Sequence, residues 1–257
     1  MKTVIAPQGS VHTGSLILIN QQNPYQEGAM ERSLVPVNME NNEVLLERRA
    51  VALLSKLMDD IDGWTRITAV SGWRSKREQQ DIFKQSLAEN GRSFTEKFVA
   101  KPGHSEHQTG LAIDLGLKQP DMDFIRPNFP YEGICQTFRE KITLFGFIER
   151  YPEGKEEITG ISHEPWHFRY VGMPHAAIVT EMGFTLEEYH DFLKQFPYGR
   201  KYFTHQKDNV HIAVSYMEAA KDADTRFEIA TDIPYSVSGN NMDGFVVTEW
   251  RYGNGGK

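Results

Sequence analysis

The sequence has one cysteine, Cys135, in 257 residues, so no disulfide can form within the chain. It also lacks any run of about 18 apolar residues, the length that a membrane-spanning helix requires. Its N-terminus has no basic region followed by a long apolar segment, because the best candidate is only Leu16 to Ile19. These absences favour a reducing compartment. We expect a cytoplasmic protein, or one exported with a signal that precedes this sequence.

Positive charge is scarce as well. The chain has 28 lysines and arginines against 35 aspartates and glutamates, a net charge of −7. Nucleic acids and anionic wall polymers reward clustered lysine and arginine, so neither is expected as the main partner. A glycine-rich phosphate loop is also missing, which argues against a nucleotide, nicotinamide or flavin cofactor. The remaining composition, 39% hydrophobic and 25% charged, is typical of a globular protein.

The spacing of apolar residues predicts a mixture of helices and strands. Residues 43–61 carry an apolar stripe at helical spacing. Ser75 and Glu78 form a capping box that opens a helix ending near Gly91. Buried strands are predicted at 66–73 and 110–117, and further helices at 133–145, 175–182 and 185–196.

The composition changes after about residue 205, where short strand candidates are separated by turn residues. We therefore expect a main domain over residues 1–204 and a small β-rich C-terminal appendage over residues 205–257. Helices and strands do not alternate in a regular βαβ repeat. The fold class predicted is α+β, with an antiparallel sheet flanked by helices.

Residues 163–167, HEPWH, match the H-E-x-x-H pattern of a zinc-peptidase helix. Pro165 disfavours that helix but does not exclude it, and the β-branched and aromatic flanks favour a strand. In an extended chain, residues four apart are separated by about 13 Å. Two ligands that each lie about 2 Å from one zinc cannot be so far apart. We therefore expect at most one of His163 and His167 to bind a metal.

A second candidate lies in residues 102–115, PGHSEHQTGLAIDL. His107 ends a turn-rich stretch, and Asp114 falls between Ile113 and Leu115 in an apolar strand. A carboxylate there is costly unless it is paired or holds a metal. A hydrogen bond to a neighbouring loop is the simpler explanation for the aspartate taken alone.

Three segments together resemble the VanX, VanY and VanXY zinc D,D-peptidases: SGWRSKREQ (71–79), PGHSEHQTGLAIDL (102–115) and GFIERYPEGKEEITGISHEPWHFRYVG (146–172). The family pattern is S-x-H-x-x-G-x-x-x-D followed by E-x-W-H. The resemblance covers roughly residues 40–195 and is strongest overall to the VanXY type. It implies hydrolysis of the D-Ala-D-Ala dipeptide and of the C-terminal D-Ala of peptidoglycan precursors, in support of vancomycin (glycopeptide) resistance.

The resemblance also implies roles for individual residues. One zinc ion per chain would be bound by His107, Asp114 and His167. Glu164 would be the general base, and Arg74 would stabilise the negative charge of the tetrahedral intermediate. In a flat strand Glu164 and His167 would face opposite sides, so we expect a bulge or turn at Pro165-Trp166.

Three further residues are candidate substrate contacts. Gln79 would hold the substrate carboxylate or amide, although an exposed helix position is equally compatible with the sequence. Ser105 would bind the substrate or cap its own turn. Trp166 would form a wall of the site.

Two other functions remain open at this point. A murein endopeptidase or L,D-carboxypeptidase could use the same scaffold. A non-catalytic zinc-bearing binding module, like the hedgehog signalling domain, is the alternative outside enzymes. The presence of both Glu164 and Arg74 favours an enzyme. The sequence predicts no oligomeric state.

Overall fold

The computed structural model describes residues 1–28, 33–207 and 210–252. Within these ranges the strands are β1 (Lys2–Ala6), β2 (Leu34–Pro36), β3 (Leu45–Glu47), β4 (Ile67–Ser71), β5 (Ala112–Leu117), β6 (Phe147–Glu149), β7 (His167–Tyr170), β8 (Phe203–Lys207), β9 (Val210–Glu218), β10 (Thr225–Ile229), β11 (Tyr235–Gly239) and β12 (Gly244–Tyr252). The α-helices are α1 (Arg48–Asp60), α2 (Lys76–Phe98), α3 (Gly133–Lys141), α4 (Glu156–Thr159), α5 (His175–Glu181) and α6 (Leu186–Leu193). Short 3-10 helices span Gln8–His12, Gly63–Thr65, Glu106–Thr109 and Ile142–Phe145.

The chain divides into two compact units. The larger unit comprises Ile19–Tyr25 and Glu31–Thr185, and the smaller unit comprises Met1–Leu18, Gln26–Met30 and Leu186–Lys257. The sequence-based division into a domain over 1–204 and an appendage over 205–257 stays a prediction. Residues 208, 209 and 253–257 of that appendage lie outside the described residues.

The larger unit is built on a four-stranded antiparallel sheet in the order β4-β5-β7-β6. The two strands at its centre carry the polar residues of interest. In their register, Asp114 of β5 lies opposite His167 of β7, and Ala112 lies opposite Arg169. This antiparallel sheet with helices confirms the predicted α+β class.

Strand β5 shows how one sheet serves both a core and a polar site. Side chains along a strand alternate between its two faces. Ile113 and Leu115 are fully buried in an apolar cluster with Leu54 and Leu57 of α1. Burial of each such side chain stabilises the fold by about 1.5–3 kcal/mol. The same alternation turns Asp114 to the opposite face of the sheet, away from that core.

The helix predicted over residues 43–61 begins later, at Arg48. Residues Leu45–Glu47 form β3 instead, which pairs with β2. The carboxylate of Glu47 accepts hydrogen bonds from the backbone N–H groups of Arg49 and Ala50, so this side chain marks the N-terminus of α1. The apolar stripe identified the helix, but its start depended on strand pairing and on the cap.

Helix α2 begins at the predicted capping box, in which Ser75 accepts from the backbone of Glu78 and Glu78 accepts from the backbone of Ser75. Gly91 interrupts it with φ +77° and ψ 172°, values that exclude a continuous α-helix. A second helical segment then runs to Phe98, beyond the predicted end.

The helix predicted over 133–145 is α3 followed by the 3-10 turn Ile142–Phe145, and it ends at Gly146 in the left-handed conformation, as expected.

The smaller unit contains a four-stranded antiparallel sheet in the order β11-β12-β9-β8 and a separate antiparallel pair, β1-β10. This β-rich region was expected, although β1, β8 and β11 were not predicted as strands. Strand β1 pairs with residues at the other end of the chain, Lys2 with Ile229, and local sequence carries no sign of so distant a partner. Among the described residues, no helix is both long and apolar enough to cross a membrane.

Arg139 of α3 connects three separate parts of the larger unit. Its guanidinium donates to the carbonyls of Phe129 and Pro130 at 2.7 and 2.6 Å, and to the carbonyl of Pro165 at 2.6 Å. It also donates to Glu149 of β6 at 2.9 Å. The side chain is only 8% exposed. Arg139 therefore holds the turn before β7 against α3 and β6.

Replacement of Arg139 by methionine should lower the free energy of unfolding by about 3–5 kcal/mol, because Glu149 and the carbonyls lose a buried charged partner. Denaturation followed by tryptophan fluorescence measures this change. Arg92→Met is the matched control, since Arg92 forms an exposed i,i+4 pair with Glu96 worth about 0.3–0.5 kcal/mol. Equal losses in the two variants would contradict the role given to Arg139.

Candidate metal centre

Three buried side chains converge on the polar face of the sheet in the larger unit. His107, Asp114 and His167 each offer one ligand atom, and these atoms all lie within 4.8 Å of one another. Asp114 Oδ2 is 3.2 Å from His107 Nε2, and Asp114 Oδ1 is 2.9 Å from His167 Nδ1. Two imidazole nitrogens and a carboxylate are the donor set of a catalytic zinc site, which keeps its fourth position for water or substrate. These residues fit zinc.

Each ligand is positioned by a different local structure. Asp114 and His167 are opposite residues of paired strands, so the sheet register brings them together. His107 lies in the 3-10 helix Glu106–Thr109, and its Nδ1 is 2.6 Å from the carbonyl of Gly72. Because a carbonyl only accepts, Nδ1 carries the proton and Nε2 presents its lone pair towards Asp114.

The charge on Asp114 is set by its neighbours. Burial favours the neutral acid, but His107 and His167 outweigh burial and hold the pKa of Asp114 well below its ordinary value. Arg74 forms a further ion pair with it, with Nη2 2.8 Å from Oδ2. The aspartate is therefore an anion at neutral pH, as a metal ligand must be.

His167 lies between two carboxylates. Burial by itself lowers its pKa, but the hydrogen bond to Asp114 and the nearby carboxylate of Glu106 outweigh burial and raise the pKa to about 9. In the metal-free chain the imidazole is therefore positively charged at neutral pH, with a proton on each nitrogen. A metal ion must displace that proton from the ligand nitrogen.

The chain turns at Pro165-Trp166, as predicted. The backbone N–H of His167 donates to the carbonyl of Glu164 at 3.1 Å, and β7 begins at His167. The turn lets both side chains face the same site, with Glu164 Oε2 only 3.8 Å from His167 Nδ1. Burial raises the pKa of Glu164 to about 8. A carboxyl group with a pKa near neutrality suits proton transfer in both directions.

His163 is not part of this cluster in the described structure. Its Nε2 is 2.7 Å from the hydroxyl of Tyr131 and 3.6 Å from Glu149 Oε1, and its ring stacks on Tyr131. The H-E-x-x-H helix is absent, because residues 163–167 form a turn and the first residue of a strand. The neighbours of His163 are therefore Tyr131 and Glu149 rather than the proposed ligands.

Arg74 and Gln79 lie next to the ligands. Besides its ion pair with Asp114, Arg74 donates from Nε to Ser71 Oγ at 2.7 Å and from Nη1 to Gln79 Oε1 at 3.4 Å. Gln79 is 1% exposed and donates to the carbonyl of Ala100 at 2.8 Å. The alternative of an exposed helix residue is therefore wrong for Gln79, because its amide is buried against the segment that follows α2.

All eight candidate residues line one cavity of about 450 Å³. They are Arg74, Gln79, Ser105, His107, Asp114, Glu164, Trp166 and His167. Ser105 precedes the 3-10 helix without capping it through its side chain, so the capping alternative for this serine is wrong. Trp166 is 8% exposed and forms part of the wall.

Sequence reasoning did not identify Glu106 or Tyr151, which also line the cavity. The ring of Tyr151 lies 4.9 Å from that of His167, and Glu106 faces the same imidazole. Glu106 stands between Ser105 and His107 in the motif, but nothing in its local sequence separates a buried carboxylate from a solvated one.

The chain is similar to known peptidases. A family model described as VanY, D-alanyl-D-alanine carboxypeptidase, matches residues 43–173. The bifunctional D-Ala-D-Ala dipeptidase and D-Ala-D-Ala carboxypeptidase VanXYC of Enterococcus gallinarum is 44% identical over 182 residues, which are 70% of this chain and 96% of that protein.

Two solved structures are also similar. The vancomycin resistance D,D-dipeptidase VanXYg, in complex with a D-Ala-D-Ala phosphinate analog, has a TM-score of 0.94 and 46% identity over 97% of this chain and 99% of that one. A mutant of the D,D-pentapeptidase VanY from a VanB-type resistance cassette, in complex with Zn(II), has a TM-score of 0.56 and 33% identity over 68% of this chain and 98% of that one.

The two histidines of HEPWH should differ in their effect on metal binding. Replacement of His167 by alanine should remove a ligand and leave the purified protein nearly free of zinc. Replacement of His163 by glutamine, which can still hydrogen-bond Tyr131, should leave one zinc per chain. Plasma mass spectrometry measures the metal, and circular dichroism checks the fold. Zinc loss from a folded His163 variant would contradict the ligand set.

Proposed function

The chain belongs to the VanY family of D-alanyl-D-alanine carboxypeptidases, and we propose that the cavity around His107, Asp114 and His167 is its active site. The protein is a zinc metallopeptidase that hydrolyses the D-Ala-D-Ala dipeptide and the C-terminal D-Ala of peptidoglycan precursors, which supports vancomycin resistance. One observation carries the site assignment: a buried carboxyl group of raised pKa, Glu164, lies beside three side chains suited to zinc.

Substrate binding rests on the size and the polar groups of the cavity. Its volume of about 450 Å³ lies within the usual range of small-molecule sites. Arg74, Gln79 and Ser105 supply donors for a carboxylate or amide, and Trp166 supplies an apolar wall. This combination fits a short peptide with a free C-terminal carboxylate better than a long polymer.

The chemical step needs a nucleophile, a base and stabilisation of negative charge. His107, Asp114 and His167 would hold zinc, which would supply a Lewis acid for the scissile carbonyl and lower the pKa of water towards about 7. Glu164 accepts a proton from the attacking water and delivers it to the leaving amide nitrogen. Burial raises the pKa of this carboxyl group above its ordinary value, which strengthens it as a base for that proton.

Arg74 is the proposed donor for the developing oxyanion. Its guanidinium reaches the ligand Asp114, and Ser71 and Gln79 hold it in place. A preorganised donor of this kind contributes about 2.7–4 kcal/mol to transition-state stabilisation in other hydrolases. The partners of Arg74 keep that donor directed at the cavity before the substrate arrives.

A zinc-bearing binding module would not require Glu164. Burial of a carboxyl group costs stability, so the presence of the buried Glu164 within reach of the ligand cluster is consistent with a use in catalysis. This favours an enzyme over the binding module. The cytoplasmic location expected from the sequence stays part of the proposal, and cell fractionation tests it.

The substrate assay tests the function directly. The zinc-loaded enzyme should release D-Ala both from D-Ala-D-Ala and from a pentapeptide precursor ending in D-Ala-D-Ala, and it should leave L-Ala-L-Ala intact. Amino-acid release measured side by side decides this. Equal cleavage of the two dipeptides, or activity only on an L,D-tetrapeptide or a murein cross-bridge, would replace the proposal with one of its alternatives.

Replacement of Glu164 by glutamine should lower kcat by about 10²–10⁴-fold, because the base is lost while the side-chain volume stays the same. Zinc content should remain at one per chain, since Glu164 is outside the proposed ligand set. Steady-state kinetics and metal analysis of the same preparation test both statements. A metal-free Glu164 variant would make Glu164 a ligand, and a fully active one would remove it from the mechanism.

A further inference from the structure

Glu106 is a buried carboxylate that the mechanism above does not use. It opens the 3-10 helix that carries His107, and its side chain is fully buried. The guanidinium groups of Arg150 and Arg169, both fully buried, donate to the same oxygen, Oε1, at 2.8 Å each. Two buried guanidinium groups on one oxygen need an anionic partner, so Glu106 is a carboxylate whose direction the two arginines fix.

The second oxygen of Glu106 faces His167. Oε2 lies 3.6 Å from His167 Nε2, slightly more than a hydrogen-bond length. Both atoms are buried, and neither has a hydrogen-bond partner within the described residues. A buried donor and a buried acceptor thus face each other, each with no other partner in the described part of the chain.

The orientation of the His167 ring identifies which nitrogen holds the metal. Nδ1 is the nitrogen on the ligand side, 2.9 Å from Asp114 Oδ1. A neutral imidazole that offers the Nδ1 lone pair must carry its proton on Nε2. His107 shows the opposite arrangement, because its Nδ1 donates to the Gly72 carbonyl and its Nε2 faces the ligands.

We propose that Glu106 is the positioning residue of His167: its Oε2 accepts the Nε2 proton, which fixes the tautomer and directs Nδ1 at the metal. Arg150 and Arg169 hold the carboxylate in place through its other oxygen. The two histidine ligands therefore bind through different nitrogens and are oriented by different groups, a backbone carbonyl for His107 and a side chain for His167. Carboxylates commonly orient metal-bound histidines in this way.

A purely structural role is the competing explanation, in which Glu106 only neutralises two buried arginines. The Glu106→Gln substitution separates the two. Glutamine has a single acceptor oxygen, and the two arginines attract it, so its NH2 group is left facing the Nε2 proton of His167. The required tautomer is then disfavoured even where the fold is kept.

The zinc dissociation constant of Glu106→Gln, measured by competition with a chromophoric chelator, should rise by about 10–100-fold. Glu249→Gln is the matched control, because Glu249 is another buried, arginine-paired carboxylate, bound by Arg251 at 2.9 Å, that lies outside the ligand cluster. Its zinc affinity should equal that of the unmodified protein. Unchanged zinc affinity in folded Glu106→Gln would overturn the proposal and leave Glu106 a counter-ion only.

A second measurement needs no variant at Glu106 and covers the case in which Glu106→Gln does not fold. In the unmodified protein loaded with ¹¹³Cd and ¹⁵N-histidine, one-bond coupling to the metal should appear at Nδ1 of His167 and at Nε2 of His107. The other nitrogen of each ring should be protonated. Metal coupling at Nε2 of His167 would overturn the proposal.

The inference rests on the proposed function only for the identity of the metal site. Neither measurement reads peptide hydrolysis. A protein that binds metal through these nitrogens but leaves D-Ala-D-Ala intact would refute the proposed function and not the role of Glu106. A protein that cleaves D-Ala-D-Ala with the opposite His167 nitrogen on the metal would refute only the role of Glu106.

Discussion

The pairing of β5 with β7 in the register that sets Asp114 opposite His167 is the constraint on which the site depends. Strand side chains alternate, so a slip of one residue would turn Asp114 into the apolar core and Ile113 into the cavity. The fully buried Ile113 and Leu115 oppose that slip with their packing against α1. The energy that stabilises the core therefore also fixes the geometry of two of the three proposed ligands.

Burial of charged groups costs desolvation free energy, and ion pairs within the larger unit offset that cost. Asp114 is paired with Arg74, and Glu106 is paired with Arg150 and Arg169. Paired buried charges are tolerated, but substitution of either partner destabilises the fold, because the other charge is then buried without a counter-ion. Glu164 differs from these groups, because burial raises its pKa even though the imidazole of His167 is nearby. A carboxyl group of raised pKa is suited to proton transfer, whereas the paired groups remain in one charge state.

The turn before β7 positions the side chains that the proposed reaction needs. Residues 163–166 are not helical, Pro165 disfavours the helix that the H-E-x-x-H pattern would need, and Arg139 binds the carbonyl of Pro165. With this turn, Glu164 and His167 face the same cavity although they are three residues apart next to a strand. His163 falls on the outside of the turn and packs on Tyr131. The turn therefore places Glu164 and His167 in the cavity and His163, from the same motif, against Tyr131.

Features governed by neighbouring residues could be predicted from the sequence by itself. The Ser75 capping box, the glycine that ends the α3 region, the strand favoured by the flanks of Pro165 and the apolar strand around Asp114 all follow from local chemistry. The family resemblance added the grouping of His107, Asp114 and His167, which lie together in the structure.

Tertiary structure alone decided features that depend on partners distant in sequence. The pairing of β1 with β10, the buried position of Gln79, the contact of His163 with Tyr131 and the two arginines on Glu106 each require packing between remote segments. A polar residue in a loop has the same local sequence whether it ends in water or against a buried imidazole. The physical reason is that burial and hydrogen bonding are set by the surrounding segments, and the chain brings these together only when it folds.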